Sequence, residues 1–553
     1  MKKIKFYLLF FLLCNQTTYT QNGLSYTEKL SATAKVWGFL KYYHPNVADG
    51  KFDWDQELFK ILPKIKNSEN KEQLSQVYLD WLTLVGQVES CKKCNRTEEQ
   101  DYFTKNLDLA WLNDQIFTPE LSEKLRYIEA NRHLGNKYYV STSKKVGKGK
   151  VVITNENEYK NFDWKNEDLR LLTLFRYWNI VEYFFPYKYQ TDVLWDDVLK
   201  KMIPKFQNPK SEMDFHLAML ELAISTDDSH VRLNSKKIFS FFGYYPPVKF
   251  KLVDNKAVVI GTYNDSLALI NDLKIGDIIT KANDKNIDEI FQETKKYISG
   301  SNSSRKRFNA NYYILSGLTD SLKIGVIRDG ETSTKIVKRY LYKDFGRKSI
   351  GTNKKKDYKL LEGNIGYIDL SELGDDVNVP DIMSDLNDTK AIIFDLRDAY
   401  AVNSMYYFGH YITSPRKDFY KVLLPDLDYP GKFFWDKGAD VGYNKELKYK
   451  GKVVLLVDES CQSQCEYTVM CLQTGNNSTT IGSQTSGADG NVVRFNMVGG
   501  YETQISGVGI FYPDGTETQR KGVKIDIKVN PTLQAIKNGK DEILEKAIEF
   551  INQ

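Results

Sequence analysis

The sequence predicts a multidomain α/β protein, with a duplicated helical amino-terminal region, a small β module and a carboxyl-terminal α/β domain. Three observations carry this reading. At 553 residues the chain exceeds what one hydrophobic core usually serves, so two to four domains are expected. Residues 35 to 85 align without gaps onto 176 to 226. From about residue 246 helical spacing gives way to short paired strands, and from about 359 to strands alternating with helices. The net charge of +5, from 77 basic and 72 acidic side chains, argues against a dedicated nucleic-acid binder. The 36 Tyr and 29 Phe can fill large cores.

Residues 1–20 begin with Lys2, Lys3 and Lys5, continue with FYLLFFLLC and end in polar residues. This is the pattern of a secretory signal, with cleavage near Thr20 and an exported product: periplasmic, outer-membrane-associated or extracellular. Peripheral membrane association is compatible with it. Cys14 follows Phe11, Leu12 and Leu13 rather than the small residues of a lipoprotein signal. No later run is apolar and long enough to cross a bilayer. Beyond the signal lie Cys91, Cys94, Cys461, Cys465 and Cys471, an odd set that leaves at least one free thiol if the others pair within the chain. Cys91 and Cys94 form either a local disulfide or two free thiols. As half a zinc site they lack a second CxxC.

In the helical region, Trp37, Tyr42, Pro45, Trp54, Asp55, Leu58, Pro63 and Lys64 recur as Trp178, Tyr183, Pro186, Trp195, Asp196, Leu199, Pro204 and Lys205, at a constant offset of 141. Each copy, 21–136 and 166–245, reads as helix, Pro-containing loop, helix, break, helix. Residues 137–165 between them, with the basic run KKVGKGK, read as a linker or β-turn region. The copies diverge at their ends: the second finishes DDSHVRL, bringing Ser229 and His230, where the first has Glu89. A lone His in a turn is ordinarily structural. With only five His in the chain, and this one in a polar turn, His230 is the best candidate base.

Residues 246–343 form the β module: the strand pair VKFKLVDNKAVVIGTY, a turn at Gly276 and Asp277 before DIITKAN, a helix around 287–298 and a second strand pair. In 359–553, GNIGYIDL, AIIFDLRD, KVVLLVDE and STTIGSQ are strands, with helices near 379–388, 403–412 and 463–474 and a hairpin turned at Gly499 and Gly500. Active-site loops at the carboxyl ends of such strands are expected. Ser463 stands at one of these ends, where KVVLLVDES runs into the helix SQCEYTVMCLQ. A Ser there is ordinarily an N-cap. It is also how a serine nucleophile is presented, with its Oγ exposed and helix-start amides facing an oxyanion.

The module's L-x-x-GD-I-I-x-x-A-N core resembles a PDZ domain, which implies capture of polypeptide ends by strand addition. Together with GYI, DLR and S-x-x-E in that order, the chain from about 165 to 535 resembles the C-terminal-processing proteases, also called tail-specific or tricorn-type serine peptidases, in the form of secreted Bacteroidota members. The resemblance implies a crotonase-like α/β peptidase domain with Ser463 as nucleophile and Glu466 three residues on. The lysine of the processing branch falls on Ala488, so a Ser-Lys dyad is excluded. The tricorn-type branch instead pairs Ser and His, matched by Ser229 and His230, with a Glu for which Glu517 is the nearest candidate. Ser229 would orient the imidazole. The resemblance places the oxyanion donors at the Gln464 amide and at Ala401, in DLRDAYAVNS, where Ala401 and Val402 replace the usual glycine pair.

Cys465 competes as nucleophile from beside Glu466, but on a helix beginning near Ser463 it points about 200° away, which favours packing. GADGN is too short for a phosphate loop and lacks its Lys. The expectation is an exported serine endopeptidase, a hydrolase acting on polypeptides near their carboxyl-terminal segments, with no metal or organic cofactor. Two alternatives stand beside it: a PDZ-containing peptide-binding pseudoprotease, should the DLRDAYAV loop no longer support acyl transfer, and a carrier of small apolar ligands.

Overall fold

The structure is a computed structural model that describes residues 23–94, 101–143, 149–346, 358–373, 377–399, 404–444 and 446–553. The expected signal segment and Ala401 lie outside them.

The duplication is visible as geometry. Helices Tyr26–Tyr43, Trp54–Asn67 and Lys71–Val85 recur as Glu167–Phe184, Trp195–Gln207 and Glu212–Ile224. Ser25, Asp53, Asn70, Asn166 and Ser211 cap them, each accepting from a first-turn amide. In each copy two indoles clasp reciprocally: Trp37 Nε1 donates to the Trp54 carbonyl at 3.1 Å and Trp54 Nε1 to the Trp37 carbonyl at 3.0 Å. Trp178 and Trp195 do the same at 2.8 and 3.0 Å. This is why both tryptophans recur: a buried indole N–H needs an acceptor.

The two long first helices cross at equivalent positions, Gly38 and Asn179. Asn179 Nδ2 reaches across to the Ala34 carbonyl at 2.9 Å, through the space that a Cβ on Gly38 would fill. The linker region 137–165 supplies the hairpin Val140–Thr142/Val151–Ile153 and then Glu156. Glu156 joins the copies by pairing with Lys41 at 2.6 Å and Arg176 at 2.9 Å, while Arg176 also holds Asp55 at 2.7 Å. Charges buried this deeply persist because each is paired.

The middle module is an antiparallel sheet in the order Glu331–Lys338, Ser321–Arg328, Ile278–Ala282, Lys256–Thr262, Val248–Val253. Gly276 turns at φ +90° before Ile278, and Arg328 binds the neighbouring Asp277 carboxylate. Along the outer edge of Val248–Val253 lies the chain's own segment 303–312, where Asn311 Oδ1 accepts the Phe250 amide at 3.0 Å.

In the last domain the strand order is Tyr358–Leu361, Ile365–Asp369, Ala391–Asp395, Lys452–Val457, Ser478–Gly482, Ile527–Lys528. The first pair is antiparallel and the rest parallel. Helices Val379–Asp385, Met405–Ile412 and Gln464–Leu472 pack on one face and Glu542–Asn552 on the other. Both faces are therefore covered, and the central strands read as unbroken apolar runs.

Two small sheets bind the regions together. Tyr102–Phe103 pairs with Phe433–Lys437, which continues through Lys421–Pro425 to Gly509–Phe511. The expected hairpin, Val492–Met497/Tyr501–Ser506, pairs through its second strand with Arg232–Leu233. That pairing brings the turn 225–231 of the second helical copy onto the α/β domain.

Candidate active site

Ser463 occupies the turn between Lys452–Val457 and Gln464–Leu472 at φ 58°, ψ −118°. For a residue with a Cβ this is strained backbone, which costs about 1–3 kcal/mol and persists only where its surroundings impose it. They do. The Ser463 amide donates to the Ala488 carbonyl at 2.9 Å and, more weakly, to Glu466 Oε2 at 3.4 Å. The Cys461 carbonyl accepts from the Ser486 amide at 2.9 Å. Cys461 and Cys465 are joined by a disulfide that brackets the serine.

Across the first turn, the Ser463 amide reaches the Glu466 carboxylate at 3.4 Å. Glu466 also props the neighbouring loop, accepting from the Gly487 and Ala488 amides at 2.8 and 2.9 Å and from Thr485 Oγ1 at 2.6 Å. Burial pushes the Glu466 carboxyl above its ordinary range despite these bonds. Burial pushes the adjacent Asp489 well above its own, with the Glu466 charge adding to the effect.

The turn before Arg232–Leu233 delivers His230. Its Nδ1 lies 2.8 Å from Ser506 Oγ, and that hydroxyl donates to Asp228 Oδ1 at 3.1 Å. Asp228 Oδ1 is itself 3.6 Å from Nδ1. Since the Ser506 proton points to the carboxylate, its oxygen must accept, and the proton of the ring sits on Nδ1. That leaves the Nε2 lone pair buried and without a hydrogen-bond partner among the described residues. Burial opposes ionisation of Asp228, but hydrogen bonds from His230 and from the Ser506 amide at 2.7 Å outweigh it and hold the carboxyl below its usual range. A cavity of about 300 Å³ adjoins the ring, lined by Ser229, His230, Arg305, Tyr312, Gln462 and Gln504.

Ser229 plays a different part from the one expected. Its Oγ accepts the Ser301 amide at 2.7 Å and lies 3.2 Å from the Ser486 carbonyl, so it ties the turn to the β module and to the loop beside Ser463. Gln462 Nε2, one residue before Ser463, donates to the Ser229 carbonyl at 3.3 Å. The imidazole is oriented by Ser506 and Asp228.

Glu517 also sits elsewhere: it accepts from Tyr189 at 3.0 Å and pairs with Lys521 at 2.9 Å and Lys105 at 3.5 Å. From that strip of chain it is Gln519 that reaches inward, its Nε2 3.4 Å from Ser301 Oγ. The Gln464 amide opens the helix, among the donors that a helix start leaves without an intrahelical acceptor. Ala401 falls outside the described residues. The strand end before it is anchored, with Arg397 gripping Asp395 and Asp541 and the Asp398 amide donating to Ser460 Oγ at 2.7 Å.

Sequence reasoning missed Asp228, Ser506, Ser301, Gln519 and the Cys461–Cys465 bond. Asp228 was within reach, as a carboxylate two residues before the candidate base. Ser506 was not: 276 positions separate it from His230, and only strand pairing brings them together. The disulfide also corrects the reading of Cys465, which has no thiol to offer. Cys91 and Cys94 form the local disulfide, and Cys471 is free and buried. Among the described residues no cluster of three or more His, Cys, Asp or Glu could hold a metal ion, and no helix is long and apolar enough to cross a membrane.

Residues 364–529 match peptidase family S41. No curated protein sequence matches the chain. Among solved structures, mature CPAF complexed with lactacystin aligns with a TM-score of 0.55 at 11% identity, over 70% of this chain and 98% of that one. The two share a fold. A putative peptidase from Parabacteroides merdae aligns more loosely, with a TM-score of 0.43 at 14% identity over 70% of this chain and 96% of its own. So does the photosystem II D1 C-terminal processing protease, at 0.37 and 14% over 68% and 98%. Residues 364–529 are a peptidase family S41 domain, and the chain that carries them is a serine-type peptidase.

Proposed function

We propose that the chain is an exported serine endopeptidase that cleaves polypeptides near their carboxyl-terminal segments through an acyl-enzyme on Ser463. The observation that carries this reading is the chain Asp228–Ser506–His230, which assigns the ring proton to Nδ1 and leaves Nε2 as the base.

Nε2 takes the Oγ proton as Oγ attacks the scissile carbonyl, then returns it to the leaving amine. Water repeats the cycle to release the acyl group. The imidazolium formed in each transition state is stabilised by the buried Asp228 carboxylate, partly directly and partly through Ser506. The oxyanion receives the Gln464 amide and a donor from the loop 398–403. The β module, read as PDZ-like, holds the polypeptide near the cleft. The Asn311 side chain already occupies the Phe250 amide on its outer edge, so a peptide adding a strand there must displace it.

A fluorophosphonate probe tests the reading. The folded protein is expected to label at one site, and Ser463→Ala and His230→Ala are expected to abolish labelling. A folded protein that stays unlabelled refutes the nucleophile.

A further inference from the structure

The pentapeptide CQSQC closes on itself with Ser463 at its centre. Its two ends stand 5.3 Å apart at Cα, one on the segment leaving the strand and the other in the first turn of Gln464–Leu472. Both cysteines are 0% exposed and belong to the apolar cluster of the α/β domain. Between them the chain reverses sharply: the Cys465 amide donates to the Gln462 carbonyl at 3.1 Å, and Ser463 is held at φ 58°. A residue with a Cβ leaves that region when free to do so. The other restraints on it, the Ala488 carbonyl and the Ser486 amide, come from a separate loop, itself propped by the Glu466 carboxylate. From within, the turn is closed by the covalent link together with the Cys465 amide bond to the Gln462 carbonyl.

We propose that the Cys461–Cys465 disulfide is a positioning element of the catalytic centre, holding Ser463 in its left-handed conformation so that acylation requires the oxidised pair. The proposal rests on Ser463 being the nucleophile. Neither cysteine touches the reacting atoms; both act through the backbone on either side of Ser463. With the bond open, Ser463 relaxes towards ordinary backbone angles, its side chain swings with the backbone and the amide of Gln464 turns with it. The fold persists, because the strand register and the many other members of the apolar cluster are held without the S–S bond.

The test uses the full chain in a Cys91→Ala/Cys94→Ala background, so that only one disulfide remains. It is opened in two ways. Cys461→Ala/Cys465→Ala removes it by mutation. A trialkylphosphine removes it in the folded parent: phosphorus gives two electrons to the S–S bond and takes the oxygen of one water, leaving two thiols and a phosphine oxide. Hydrogen exchange of segment 458–466 reads the positioning without reference to activity, and the rate of fluorophosphonate labelling reads the chemistry.

Opening the bond is expected to speed exchange of the Ser463 amide at least tenfold, with exchange elsewhere and the melting temperature unchanged. Labelling is expected to slow at least tenfold through its maximal rate, with the probe's saturation constant unchanged. Unchanged exchange, or labelling within twofold of the parent, overturns the proposal. A parent that exchanges as expected yet never labels refutes Ser463 as nucleophile while leaving the positioning role standing. If the double variant fails to fold, the phosphine-treated parent decides.

Discussion

Replacing Asp228 by Asn tests the electrostatic core of the site with the smallest change of shape. Asp228 Oδ1 lies 3.6 Å from His230 Nδ1. At an effective dielectric of about 20, a unit charge at that distance stabilises an imidazolium by about 4.6 kcal/mol. At about 1.4 kcal/mol per decade, losing it slows a step that generates the imidazolium by roughly a thousandfold. The Asn oxygen can keep the bond from the Ser506 amide, while its NH2 takes the place of the oxygen that faced the Ser506 hydroxyl, which must turn to accept; the shape is kept, so the fold is expected to survive, and the loss should appear in kcat with KM little changed.

The assay is the rate of fluorophosphonate labelling, with peptide turnover where a substrate is in hand, from pH 5 to 9. Ser506→Ala, which breaks the bridge but leaves the charge, should cost less than Asp228→Asn, and Ser506→Thr should restore most of it. Stability gives a second readout with a definite sign. The folded-state carboxyl of Asp228 is held below its ordinary range, so its contribution is present above the usual aspartate value of about 4 and is lost as pH falls through the folded value. Asp228→Asn should flatten that acid limb. A folded Asp228→Asn variant that labels within threefold of wild type would refute the assignment of Asp228.

The buried Asp489, pushed up by burial and by Glu466, has the opposite sign. Its contribution is complete below about pH 4 and fades as pH rises towards the folded value, so Asp489→Asn should reduce the fall in melting temperature between pH 5 and 8; an unchanged slope refutes this. A Cβ on Gly38 would meet the Asn179 side chain, so Gly38→Ala should destabilise by about 1–3 kcal/mol in denaturant titration. Adding Asn179→Ala should recover part of that loss, a non-additive result that simple addition of the two effects would contradict. Asn311→Ala frees the Phe250 amide and should tighten binding of an extended peptide several-fold, measured by fluorescence anisotropy. Weaker or unchanged binding argues that the outer strand edge is not where peptides dock.

Wherever the physics is local, the sequence was sufficient. Helical spacing located three helices in each copy, because an amphipathic face is written within a dozen residues. The repeat marked the four tryptophans, 17 residues apart in both copies, and the structure showed them to be reciprocal clasps. Apolar strand runs and the step from strand to helix made Ser463 a candidate nucleophile, and the polar turn made His230 a candidate base.

Tertiary structure alone decided which groups serve that histidine. Hydrogen-bond partners of an imidazole are chosen by proximity, and proximity here is created by pairing between the two-residue strand Arg232–Leu233 and the hairpin strand Tyr501–Ser506. A two-residue strand has no period to detect. The carboxylate at the ring is therefore Asp228 rather than Glu517, and Ser229 fastens the turn in place of orienting the base. The Cys461–Cys465 bond, too, depends on how the turn closes in space and not on the spacing of its cysteines, and it is this closure that sets the backbone of Ser463.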